Sequence, residues 1–125
     1  MRPLLRPGRR PLVRPFLLGG LLAALGAGCD ENCQSTCGRV YDASECGVTV
    51  SGVSAKSLRG SCVEDCEQAL QKTGEMGTYN PYQRANPVDP PELENERQAA
   101  EWMDCVWSVE CAELEPSDGG MCSPI

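Results

Sequence analysis

The sequence predicts a small all-α domain stapled by disulfides, with about three short helices joined by long loops. Apolar residues are scarce: beyond position 28 there are 13 Leu, Ile, Val and Phe among 97 residues. That lies below the roughly 20% at which a highly charged chain usually fails to bury enough surface to fold. Cysteines are abundant, nine in all, and each disulfide typically stabilises by about 2–4 kcal/mol, largely by restricting the unfolded chain. Several of them can replace a missing core in a small domain. The spacing supplies the helices, because Cys33–Cys37 and Cys62–Cys66 are both CXXXC pairs followed by apolar or aromatic residues that continue one helical stripe.

The first helix is expected over residues 30–41, DENCQSTCGRVY, where Cys33, Cys37, Val40 and Tyr41 fall at i, i+4, i+7 and i+8. Asp30 and Glu31 sit where acids suit the helix dipole. The second is expected over residues 61–70, SCVEDCEQAL, with Cys62, Cys66, Ala69 and Leu70 on the same stripe. Ser61 and Glu64 have capping-box spacing, and Lys72 before Gly74 reads as a helix end. The third is expected from about 90 to 109, where Asp89 provides the N-cap, Pro90 the first helical position and Glu92 the capping-box acid. Trp102, Cys105, Val106 and Val109 share one of its faces, with Met103 and Trp107 flanking and Cys111 closing it.

Residues 42–60 read as a loop with at most a short strand around Val48 and Val50. Residues 74–89, rich in Gly, Asn, Pro and Tyr, read as an irregular linker, and residues 116–125 as a tail tied down by Cys122. The whole of 29–125 is thus expected to form one cysteine-rich helical domain.

Cysteines at i and i+4 leave one helix face side by side, so bridging them to each other would be strained. They are better placed to reach a facing helix. In an antiparallel pair Cys33 would meet Cys66 and Cys37 would meet Cys62, one connectivity among the 105 open to eight cysteines. The arrangement is similar to the twin CX3C helical hairpins of small intermembrane-space proteins, and the similarity implies the hairpin architecture alone.

Residues 1–28 are expected to be a cleaved export signal. Five of the eleven basic residues (Arg2, Arg6, Arg9, Arg10 and Arg14) fall in the first fourteen positions, and no acid precedes Asp30. An apolar run over residues 16–27, FLLGGLLAALGA, follows; its twelve residues are too few to cross a hydrocarbon layer of about 30 Å as a helix. The arginine pair Arg9-Arg10 loosely resembles a twin-arginine export signal, but a generic basic leader is the favoured reading, since arginine pairs are common in arginine-rich leaders. From Cys29 onward six basic residues face eighteen acidic ones, a net charge of −12. Such a surface repels nucleic acid and anionic lipid head groups.

Ala27-Gly28-Cys29 resembles the end of a bacterial lipoprotein signal, with Gly26 standing where leucine is usual. The resemblance implies that Cys29 is acylated on sulfur and becomes the new N-terminus. Asp30 after it resembles an inner-membrane retention signal of enterobacterial lipoproteins. Setting Cys29 aside leaves an even set of eight thiols, with Cys46, Cys105, Cys111 and Cys122 expected to pair among themselves. The cysteine order as a whole resembles small, uncharacterised cysteine-rich envelope lipoproteins of Gram-negative bacteria. It implies a disulfide-stapled helical domain with no known activity.

No histidine is present, so a Ser-His-Asp hydrolase constellation is excluded. No phosphate-cradling glycine loop follows a strand pattern, and Glu92, Glu94, Glu96 and Glu101 lack EF-hand spacing and read as a solvated helix face. Two alternatives stand beside the lipoprotein. Cys33, Cys37, Cys62 and Cys66 could supply four thiolates to a metal or act in thiol redox chemistry, although their spacing is neither CX2C nor the redox CXXC. The other alternative is export without lipid, which cysteine parity disfavours. The expected function is a non-enzymatic envelope lipoprotein with a structural or protein-interaction role and no cofactor. Its partners are then the membrane, through its anchor, and an envelope protein.

Overall fold

Asn32 starts the first helix in the computed structural model, which describes residues 31–84, 86, 88–89, 91–115 and 120–124. Its side chain accepts the Ser35 amide at 2.9 Å while the Ser35 hydroxyl accepts the Asn32 amide at 3.1 Å. This reciprocal cap sets the start of α1, Cys33–Tyr41. The expected stripe of α1, namely Cys33, Cys37, Val40 and Tyr41, is buried. Asp42 leaves the helix in an extended conformation, and its carboxylate receives Arg59 Nη1 at 3.0 and 3.1 Å.

The second helix, α2, spans Ala55–Leu70, six residues longer at its start than the expected 61–70. Ser54 does the capping, its hydroxyl accepting the Ser57 amide at 3.2 Å. Ser61 is exposed on the helix surface instead. The reason is tertiary. Leu58 extends the inward stripe of Cys62 and Cys66 by one turn and packs against the core, and Arg59 on the same turn holds Asp42. These contacts outweigh the roughly 1 kcal/mol that Gly60 costs a helix interior. Two bridges, Cys33–Cys66 and Cys37–Cys62, run in opposite chain order, so α1 and α2 are antiparallel.

The third helix, α3, spans Glu96–Ser108, and the start expected at Asp89-Pro90 falls too early. Asn95 is the cap, buried, with Oδ1 accepting the amides of Arg97 and Gln98 at 3.1 and 3.2 Å. Its Nδ2 donates to Glu75 O at 2.9 Å. The Glu96 amide reaches Lys72 O at 2.8 Å. The end of α2 and the start of α3 therefore share one hydrogen-bonded junction, and that junction fixes where α3 begins. Gly74 permits it: a Cβ there would lie 2.6 Å from the Asn95 side chain.

Among the described residues there is no strand; Val50 and Val53 form one isolated antiparallel bridge. Val48 is fully buried and donates its amide to Val40 O at 2.8 Å, tucking the α1–α2 loop under α1. After α3 a 3-10 turn, Cys111–Leu114, buries Leu114 completely.

The C-terminal segment expected as a tail is part of the core where it is described. Cys122 and Ser123 are buried, the Trp102 indole N–H donates to Cys122 O at 2.9 Å, and the Met121 amide donates to Glu113 O at 2.7 Å. Residues 74–84 carry no helix or strand. They nevertheless reach the same core, Pro81 O accepting the Cys122 amide at 2.6 Å and Tyr79 packing against the buried cluster. Tertiary hydrogen bonding thus replaces regular structure in both segments.

Candidate functional site

Eight cysteines are consumed in four disulfides: Cys33–Cys66, Cys37–Cys62, Cys46–Cys111 and Cys105–Cys122. Cys33 and Cys37 occupy successive turns of α1 and meet Cys66 and Cys62 on α2 with Cα separations of 5.7 and 5.9 Å, ordinary values for a disulfide. The four sulfurs weighed as metal ligands are therefore bonded to one another in pairs and offer no thiolate. Among the described residues no group of three or more His, Cys, Asp or Glu side chains is placed to hold a metal ion. Cys29, the expected lipidation site, and the export signal at 1–28 lie outside the described residues.

One constellation crosses between the helices. Arg39 of α1 donates through Nε to Val106 O at 3.0 Å and through Nη2 to Val109 O at 3.1 Å, the last carbonyls of α3. Positive charge is favourable there, because a helix C-terminus carries partial negative charge and unsatisfied carbonyls. The same guanidinium lies over the Trp107 ring, 5.1 Å from its centroid. The Trp107 indole N–H in turn donates to the fully buried Thr36 hydroxyl at 3.1 Å. Trp107 had been expected only to flank a helical face. Nothing in local spacing pairs it with residues 71 positions away.

Hollows also mark the surface. A polar cleft of about 600 Å³ separates the 75–84 segment from residues 91–98 and is lined by Glu75, Tyr79, Asn80, Glu92, Glu94 and Gln98, among others. Its polar groups are largely engaged within the protein: Arg97 pairs with Glu75 at 2.8 Å, and the Gln98 side chain bonds both Glu94 N and Met76 O. A smaller groove of about 220 Å³, lined by Tyr41, Leu58, Leu93 and Trp102, is more apolar. Of the acids weighed as a calcium or acid–base set, Glu92, Glu94 and Glu96 are exposed. Glu101 is half-buried near Tyr79. Burial raises the Tyr79 phenol well above its ordinary value, with the Glu101 charge adding to the effect. The Tyr41 phenol is raised for the same reasons, burial first and Asp65 second. Both phenols stay neutral, and Tyr79 donates to Ser123 O. No buried side-chain nitrogen or oxygen among the described residues lacks a hydrogen-bond partner.

Fold and site together define a small all-α domain whose three helices are stapled by four disulfides, with no helix among the described residues long and apolar enough to cross a membrane. No protein-family model, no curated protein and no solved structure matches the chain.

Proposed function

We propose that the chain is a non-enzymatic envelope lipoprotein, a small acidic domain tethered to a membrane through Cys29 and serving a structural or protein-interaction role. The observation that carries this reading is the cysteine account. Eight of the nine cysteines pair with one another, so Cys29 has no partner thiol left in its own chain. A leftover thiol is awkward in an oxidising compartment, whereas an acylated one has a use. The lipoprotein-like Ala27-Gly28-Cys29 sequence supports the same reading.

The geometry has a consequence for partners. Cys29 precedes Cys33 by four positions, so the Cys33–Cys66 end of the hairpin lies within roughly 14 Å of the lipid. The surface charge disfavours nucleic acid. Metal or redox use of Cys33, Cys37, Cys62 and Cys66 is weakened by their engagement in bridges. Secretion without lipid is the second reading, favoured by Gly26. Membrane fractionation of wild type and Cys29→Ser in a bacterial host separates the two. The lipoprotein reading expects the wild type in the membrane fraction and the variant released. Equal partitioning of both, in either fraction, overturns it.

A further inference from the structure

The four disulfides divide the domain into two covalent sets. Cys33–Cys66 and Cys37–Cys62 tie α1 to α2, and Cys105–Cys122 ties α3 to the C-terminal segment. Only Cys46–Cys111 joins one set to the other, from the α1–α2 loop to the 3-10 turn after α3. The same bridge is the one among the four in which neither cysteine is buried. Both Cys46 and Cys111 are half-buried, whereas both sulfurs of Cys33–Cys66 and of Cys105–Cys122 belong to buried residues. Cys62 is half-buried, but its partner Cys37 is fully buried.

Exposure of both halves matters because of how exchange proceeds. An incoming thiolate attacks one sulfur in line with the S–S bond and expels the other as a thiolate. At Cys62 the expelled group would be Cys37, a charge forming in the core, which burial disfavours. At Cys46–Cys111 neither residue is fully buried, so neither thiolate has to leave from a fully buried position.

We propose that Cys46–Cys111 is a thiol-exchange site for an external dithiol and that it latches the α1–α2 hairpin onto α3. One thiolate of the dithiol bonds to one sulfur of the pair, the Cys46–Cys111 bond breaks, and the departing thiolate takes a proton from water. The second thiol of the reagent then attacks the mixed disulfide and releases the other cysteine. The dithiol ends as a disulfide, oxidised by two electrons, and the latch ends as two thiols. Once the latch opens, the hairpin rests on α3 through non-covalent contacts, chief among them the Arg39, Trp107 and Thr36 bonds. The proposal concerns these residues alone and does not depend on the anchor at Cys29.

The test uses the full-length oxidised chain, first blocked with N-ethylmaleimide so that any thiol at Cys29 is removed from the count. Limiting dithiothreitol is then added, and aliquots are quenched with isotopically distinct maleimide and mapped by peptide mass spectrometry. Cys46 and Cys111 are expected to take label on the order of tenfold sooner than the other six bridged cysteines. Earlier or simultaneous labelling of any other pair overturns the exchange site. Hydrogen exchange on the singly opened, alkylated protein tests the latch. Faster exchange over residues 39–48 and 106–111 with α1 and α2 still protected together is the expected result; exchange unchanged from the oxidised protein overturns it.

Discussion

α2 and α3 are held to the same core by different physics. The sixteen-residue α2 buries only Val63, Cys66 and Ala69, whereas the thirteen-residue α3 buries Gln98, Ala99, Trp102, Met103, Cys105 and Val106. Two of the inward positions of α2 are cysteines bonded to α1, and the remaining ones are too few to hold an isolated helix in place. α3 instead carries an amphipathic face centred on a buried tryptophan whose indole N–H is satisfied by Cys122 O. In the first case cross-links restrict the unfolded chain; in the second, burial of aromatic surface stabilises the folded one. A chain with little apolar content can thus concentrate it on one helix and staple the other.

The contrast can be broken most severely from the α2 side. Replacing Cys33, Cys37, Cys62 and Cys66 together with serine removes both staples. The cost is expected at about 4–6 kcal/mol, since the two crosslinks are nested and contribute less than twice the single value. Urea denaturation followed by circular dichroism should show α2 helicity lost well before α3 unfolds. A single cooperative transition near that of the wild type would mean that α2 packs without its staples. From the other side, Trp102→Ala should destabilise by about 3–5 kcal/mol through lost burial and a cavity. Thermal unfolding should show this with all four bridges still formed, as counted by mass. Arg39→Met sharpens the comparison at the seam between the two sets. It leaves Val106 O and Val109 O without their donor, at about 1–3 kcal/mol, and it should red-shift Trp107 emission. Asn95→Ala, at the cap of α3, should cost about 1 kcal/mol and increase amide exchange at Arg97 and Gln98 without disturbing α1.

The hairpin was legible because cysteine spacing is a local signal that encodes a tertiary fact: side chains one turn apart must share a neighbour. The α3 face was legible from the spacing of Trp102, Cys105 and Val106 in the same way. Helix starts were less so. Ser61 with Glu64 and Asp89 with Glu92 present the same local capping signals as Ser54 and Asn95, and only the contacts of Leu58, Arg59 and Glu75 with distant residues choose between them. Cys46, Cys105, Cys111 and Cys122 admit three pairings, and no helical spacing selects one. The bridge between Cys105 and Cys122 accompanies a backbone bond from Cys122 N to Pro81 O and an indole bond from Trp102 to Cys122 O that no periodicity announces. Arg39 over Trp107 was invisible for the same reason, since its partners lie about seventy residues away in the chain.

Eight cysteines are closed in four bridges, and the proposed anchor falls to Cys29. An intact mass of the protein produced with its own leader in a bacterial host, before and after alkylation without reductant, tests it most directly. The account predicts the mass of residues 29–125 plus acyl groups, less eight hydrogens, unchanged by alkylation. A lipid-free mass that gains alkyl groups would contradict it.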